Sequence, residues 1–306
     1  MIRRRGTAIA GALLALLAVA GCGLGPGDDV GSVELTVTRD FGAEPMLQRS
    51  VGDVAESDTV MRVLERNAEI ETRYGGGFVH SIEGIEAEDR GGPRDWFFYV
   101  DGVESPVGAA DYPLEGGERI WWDRHDWGAT NHIPAVVGSW PAPFTDGYGG
   151  RSYPVAVECR GGGDACATVR ERLGAAGVEP ASGSPPRAIR VLVGPWARLR
   201  SDPAAAQIES GVEESGVFAE FEREGSGYRL MGLDPEGDAV RDFGPGAGLV
   251  AATRRYEAPP VWVVTGAAAA GVRAAANLLD ATGLRDRFAV AVEAGEAIPL
   301  PLERGG

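Results

Sequence analysis

Asp95-Trp96-Phe97-Phe98-Tyr99-Val100-Asp101-Gly102 is the stretch on which the fold of this chain turns. Five consecutive aromatic or β-branched residues suit a pleated, half-buried surface. The Asp-Gly pair behind them is the strongest short hairpin signal a sequence carries. A second aromatic run, Arg119-Ile120-Trp121-Trp122-Asp123, follows the Gly116-Gly117 turn and reads as another strand. Because side chains alternate along a strand, Trp96 and Phe98 face one way and Phe97 and Tyr99 the other. Trp121 and Trp122 must likewise point to opposite faces.

Upstream, Val33-Glu-Leu-Thr-Val-Thr-Arg-Asp40 alternates apolar and polar residues as a half-buried strand should. A second strand is expected near Met46 to Val51. Ser57 or Asp58 then caps a helix with Val60, Val63 and Leu64 on one face, running to about Asn67. After Gly75-Gly76-Gly77, the segment Phe78-Val79-His80-Ser81-Ile82 reads as a strand. Two strands, a helix and several further strands are the element order of a β-grasp fold. Beyond a Pro/Gly-rich linker (139–152), Tyr153–Glu158, Ala188–Val193, Pro260–Val264 and Arg287–Val292 read as strands. Helices are expected at 164–176 (capped by Asp164), between Trp196 and Gly211, and across the Ala-rich 267–282. Val217–Glu222 and Gly227–Met231 suit a hairpin. The predicted class is therefore α+β: an N-terminal β-grasp domain (33–138), then an α/β layered domain with a mixed sheet (153–306).

The series Thr59-Val60, Tyr74-Gly75-Gly76-Gly77-Phe78-Val79, Ile82-Glu83-Gly84-Ile85, Trp96 to Gly102, Tyr112-Pro-Leu-Glu-Gly-Gly-Glu118 and Ile120-Trp121-Trp122 resembles the transcobalamin-type β-grasp domain of bacterial surface proteins. Glu118 stands where that family usually has Asp. The resemblance covers about residues 33–127. It implies capture of a cofactor-like small molecule, with a corrinoid as the candidate ligand and an uptake transporter as the partner.

The N-terminus speaks to location. Arg3, Arg4 and Arg5 precede the apolar run Ala8–Ala20. That run falls short of the ~20 residues a spanning helix needs but suits a signal peptide. Val19-Ala20-Gly21-Cys22 resembles a bacterial lipobox, so residues 1–21 are read as a lipoprotein signal and Cys22 as the lipidated residue. An ordinary secretory signal that happens to contain a cysteine is the other reading. Residues 22–32, rich in glycine, are expected to form a flexible tether. The expected location is the outer face of a bacterial cell membrane, held there by lipid. Cys159 and Cys166 remain as an even pair, and outside the cytoplasm such a pair reads as a disulfide. A redox or metal pair is the alternative, though the spacing is not Cys-x-x-Cys.

Composition narrows the chemistry. Every basic side chain is an arginine, so no P-loop or Schiff-base lysine exists. The chain has 45 acids against 29 arginines, a net charge of −16, which argues against a nucleic-acid partner. Residues 33–140 hold 21 acids and 9 arginines, so most of the excess sits in the first unit. No nucleophile motif appears, no His spacing matches a standard zinc site, and neither catalysis nor a metal is expected. The helix of a β-grasp unit covers one sheet face only. The aromatic row on the other face therefore needs a cover: the second domain, a planar ligand or a sugar ring. Phe97, Tyr99, Trp121, Trp122 and Trp127 are the candidate ligand-binding residues. A non-catalytic ligand-binding lipoprotein is the leading expectation. A cell-envelope protein- or glycan-interaction protein, and a glycan-active hydrolase, are the alternatives.

Overall fold

A computed structural model describes residues 27–88 and 93–303. Cys22 and the signal segment lie outside the described residues. Among the described residues no helix is long and apolar enough to cross a membrane.

The first unit opens with the hairpin β1 (Asp29–Arg39) and β2 (Glu44–Ala55), followed by α1 (Val60–Asn67). Then come β3 (Ile70–Arg73), β4 (Phe78–Ile82) and β5 (Ile85–Glu86), a small antiparallel sheet. β6 (Arg94–Val100), β7 (Val103–Glu104) and β8 (Arg119–Asp126) complete the unit. The main sheet runs β2-β1-β8-β6-β7, with β8 parallel to β1 and antiparallel to β6. The last strand thus lies at the centre beside the first, the β-grasp arrangement that the element order predicts.

Two local expectations change. Residues 29–32, expected to belong to the tether, are already part of β1, which begins at Asp29, whose backbone pairs with Ala55. The helix cap is Thr59, whose Oγ1 accepts from the Arg62 amide at 3.3 Å, and neither Ser57 nor Asp58 takes that role. Asp58 instead accepts the Ala55 amide and two bonds from Arg66 in the last turn of α1, both at 2.6 Å. It therefore ties the strand end to the helix end.

The Asp101-Gly102 turn closes β6 onto β7 with φ positive at both residues (52° and 76°), the geometry Gly and Asp tolerate best. Asp101 is buried, and one carboxyl oxygen accepts the Arg119 amide at 3.0 Å. Burial, with Glu118 and Asp146 adding to it, pushes its pKa up to about 7. Between pH 4 and 7 the unfolded chain loses a proton that the folded chain retains, so this group costs stability as pH rises and stays costly above 7. Asp101→Asn keeps the acceptor and the turn preference without the charge. At pH 8 it is expected to stabilise the protein by roughly 2 kcal/mol, the gain vanishing near pH 4. Urea midpoints at the two pH values check this, and equal midpoints at pH 8 would refute it.

The second unit comprises β9 (Val155–Cys159), α2 (Asp164–Ala175), β10 (Ile189–Val193), α3 (Trp196–Leu199), α4 (Val212–Ser215), β11 (Ala219–Glu224), β12 (Gly227–Leu233) and β13 (Ala239–Phe243). It continues through β14 (Gly248–Thr253), β15 (Val261–Gly266), α5 (Ala269–Asn277), α6 (Ala281–Leu284), β16 (Ala289–Glu293) and β17 (Glu296–Leu300). Its six-stranded sheet, order β17-β16-β14-β15-β10-β9, is mixed as expected. β9, β10 and β15 run parallel, and β14, β16 and β17 join antiparallel. α2 and α5 cover one face, over Ile189, Val191, Trp262 and Val264. Cys159 and Cys166 form a disulfide between the end of β9 and the first turn of α2, with Cα atoms 6.0 Å apart. The cap of α2 is Gly163, and Asp164 is its first helical residue.

The helix expected between Trp196 and Gly211 is broken. Pro203 cannot donate within a helix, so the segment splits into α3, a 3₁₀ turn at Ala205–Ser210 and, after Gly211, α4. The Ala-rich helix is interrupted too. Asp280 leaves helical geometry and caps α6 by accepting from the Gly283 amide at 2.8 Å.

The other face of the large sheet, carrying Leu192, Val263, Leu249 and Ala251, is covered by two things. One is the small sheet β11-β12-β13, through Phe221, Leu230 and Phe243. The other is the first unit itself, through Phe41, Tyr99 and Trp121. The expected linker is likewise packed rather than loose. Trp140 and Phe144 are buried with their rings 5.8 and 4.8 Å from that of Trp262. Aromatic side chains in a Pro/Gly-rich segment bury too much apolar surface to stay in water.

Candidate ligand-binding site

The uncovered aromatic row has its cover, and it is the second unit. Tyr99 and Trp121 are 1% and 2% exposed, and Phe288, which leads into β16, inserts its ring 5.5 and 5.0 Å from theirs. Two of the five candidate residues therefore belong to a core shared by both units and offer no open shelf. Two glycines allow the approach. A Cβ on Gly42 (φ +85°) would lie 1.8 Å from the Asp286 carbonyl oxygen, and one on Gly138 would meet the Arg287 amide at 2.6 Å.

Beneath these rings lies a buried polar knot. Asp123 accepts from Thr38 Oγ1 at 2.5 Å and from the amides of Phe41 and Gly42 at 3.0 and 2.9 Å. Its Oδ1 also lies 2.9 Å from His125 Nδ1. The imidazole stacks on Phe97, with centroids 4.5 Å apart. Trp121 Nε1 donates to Thr38 Oγ1 at 2.7 Å. This network satisfies the turn between β1 and β2 at the point where the second unit seats.

Trp122 turns to the opposite face, while the Phe97 ring packs on His125 against the shared core. Trp122 lines a hollow of about 230 Å³ walled by Met61 of α1, Gly77, Phe78 and Val79 around the glycine loop, and Trp96 and Phe98 of β6. Gly108 and Ala109 close the far side, and Asp95, Glu104 and Ser105 supply polar atoms. The alternation of β6 and β8 builds it: Trp96, Phe98 and Trp122 share the face turned toward α1, with the Phe98 and Trp122 rings 5.0 Å apart.

The electrostatics of this hollow single out one atom. Trp96 Nε1 donates to the Ile85 carbonyl at 3.1 Å and Trp196 Nε1 to Glu209 at 3.0 Å. Trp122 Nε1 is fully buried and has no hydrogen-bond partner among the described residues. A buried donor left unpaired costs roughly 1–3 kcal/mol, so it is exceptional in a folded core. Burial raises the pKa of Asp95 from its ordinary value, against the bond its carboxyl accepts from the Trp96 amide at 2.8 Å. The hollow can therefore hold a flat apolar group and present carboxyl oxygens at its edge.

The remaining candidate, Trp127, is half-buried beside Pro93, whose carbonyl accepts its amide at 2.6 Å, and lines neither the hollow nor the shared core. The three histidines are dispersed: His80 meets Arg73, His125 meets Asp123, and His132 forms an ion pair with Glu104. Among the described residues no group of three His, Cys, Asp or Glu side chains is placed to hold a metal ion. Met61, Phe78 and Asp95 were not anticipated as site residues. The glycine loop ahead of Phe78 was the available signal, since it brings β4 and the end of the hollow together.

A family model described as "Domain of unknown function (DUF4430)" matches residues 57–126, which span α1 to the end of β8. All residues lining the hollow fall within that span. No curated protein matches the chain. Among solved structures, the chain is similar to one from Ruminococcus gnavus described as a "putative metal binding protein". Identity is 15%, over 31% of this chain and 97% of that one, with a TM-score of 0.26.

Proposed function

We propose that this protein is a non-catalytic, extracytoplasmic lipoprotein that captures a small, flat-ringed molecule in the aromatic hollow of its β-grasp unit. The unpaired Trp122 indole N–H is the observation that carries the reading. The N–H has no exposed surface, so a ligand that shifts the surrounding rings and brings an acceptor to it would recover the hydrogen bond the fold leaves unmade. The transcobalamin-type resemblance supports a cofactor-like ligand, delivered to an uptake transporter. A volume of about 230 Å³ suits one or two fused rings better than a whole corrinoid, being below the ~300–1,000 Å³ usual for drug-sized ligands. The positive n-region, the apolar run and Cys22 support anchoring at the outer face of a bacterial membrane.

The test is nitrogen-resolved NMR of the chain from Gly27 onward, titrated with cobalamin, cobinamide and a panel of flat heteroaromatic cofactors. A true ligand moves the Trp122 indole N–H resonance saturably. Trp122→Phe keeps a smaller aromatic ring and removes the donor, so it should weaken that ligand by about fivefold. A panel that leaves the Trp122 resonance in place would sink the cofactor reading.

A second reading has its own support. Tyr74, on the glycine loop at the mouth of the hollow, is 88% exposed with its ring edge-on to Phe78 at 6.1 Å. An aromatic held in solvent beside an aromatic hollow also suits stacking on a sugar ring. Peptidoglycan fragments therefore belong in the same titration, and a response to them alone would favour the envelope-interaction reading.

A further inference from the structure

The segment from Val103 to Gly108 has a hollow on each side. The first is described above. The second, also about 230 Å³, shares Glu104 and Ser105 with it but opens at the seam of the molecule. Its walls come from three places: Val103, Val107 and Tyr112 of the first unit, Tyr148 of the connector with Tyr153 just beyond it, and Arg254 just after β14. The Tyr148 and Tyr153 rings stack at 4.6 Å and 10°, forming a flat aromatic wall.

Two arginines, Arg151 and Arg254, line this hollow. Elsewhere Arg66, Arg190, Arg200 and Arg229 pair with carboxylates. Arg254 and Arg151 have no carboxylate partner among the described residues. Arg254 lies over the Tyr148 ring, 5.3 Å from its centroid. Its Nε is held by the Ala258 carbonyl at 2.8 Å, which leaves its two terminal nitrogens to donate elsewhere. Of the two carboxylates present, Glu104 is occupied by His132, leaving Glu115 exposed at the rim. A guanidinium fork beside a stacked pair of phenol rings is the arrangement that recognises a planar anion: the fork takes the carboxylate bidentately and the rings take the flat body.

We infer that the seam hollow binds a flat-ringed organic carboxylate, with Arg254 and Arg151 holding the charge and the Tyr148–Tyr153 stack holding the ring. The site goes beyond the aromatic hollow described above and stands or falls separately from it. Because its walls belong to both units and the connector, the ligand would bridge all three.

The experiment is calorimetric titration of the chain from Gly27 onward with naphthalene-2-carboxylate and, in parallel, with the uncharged naphthalene-2-carboxamide. The acid is expected to bind at least about tenfold more tightly than the amide, in line with hydrogen bonds to a charged group. Arg254→Met should bring the two affinities together, and Tyr148→Leu should weaken both. Trp122→Phe, in the other hollow, should change neither. A circular-dichroism melt confirms that each variant is folded, and Arg151→Met serves if Arg254→Met is not. Equal affinity for acid and amide, no binding of the acid at low millimolar concentration, or loss of binding in Trp122→Phe would each overturn the inference.

Discussion

Asp123→Ala is expected to destabilise the protein by about 3–5 kcal/mol, the range found when one partner of a buried charged network is removed. The carboxylate is fully buried and gathers Thr38, the amides of Phe41 and Gly42, and His125. Alanine would leave two backbone N–H groups and a hydroxyl without their acceptor in a place water does not reach. It would also loosen the β1–β2 turn, which carries Phe41 into the shared core. Asp123→Asn keeps one oxygen and should fall between the two. Denaturant midpoints with matched slopes measure both effects. A loss below 1 kcal/mol for the alanine variant would show that the network is incidental to stability.

Phe288→Ala is expected to cost a similar amount, about 3–5 kcal/mol, through a cavity at the junction. Its ring meets four rings of the first unit: Phe41 at 5.2 Å, Tyr99 at 5.5 Å, Trp121 at 5.0 Å and His125 at 5.2 Å. The contact is mutual, so both units should lose stability together. In the parent protein, far-ultraviolet dichroism and tryptophan emission should report one coincident unfolding transition. In Phe288→Ala both probes should shift by the same amount. Two separate transitions in the parent, only one of them moved by the substitution, would refute a common core.

The first unit was legible because its strands alternate. Val33, Leu35 and Val37 against Glu34, Thr36 and Thr38, and the two aromatic runs, each assign faces without any tertiary knowledge. The second unit was less so, for identifiable reasons. β14 (Gly-Leu-Val-Ala-Ala-Thr) is buried at every position, so no period marks it. β13 is exposed along most of its length, and β17 carries Pro299. Alternation could also show that Trp121 and Trp122 part company. It could not say which face the rest of the chain would cover. Trp122 reached a hollow, while Tyr99 and Trp121 were claimed by Phe288, which lies 189 and 167 positions downstream of them. The seam hollow was beyond reach for the same reason, since Tyr112, Tyr148 and Arg254 share no local pattern.

The early start of β1 sets a limit on reach. With Cys22 lipidated, as proposed, six residues, hence seven Cα–Cα steps, separate the anchor from Asp29. Even drawn straight they extend at most about 25 Å, at roughly 3.5 Å per residue. A folded body of this size has a radius of gyration of about 19 Å, hence a width of roughly 50 Å, so the leash is only about half as long as the object it holds is wide. The protein would therefore patrol a thin layer hugging the bilayer and meet only those molecules that pass within it. Because the connector is packed and the units share a core, it would roll on its leash as one piece, and the openings of both hollows would turn together toward or away from the membrane.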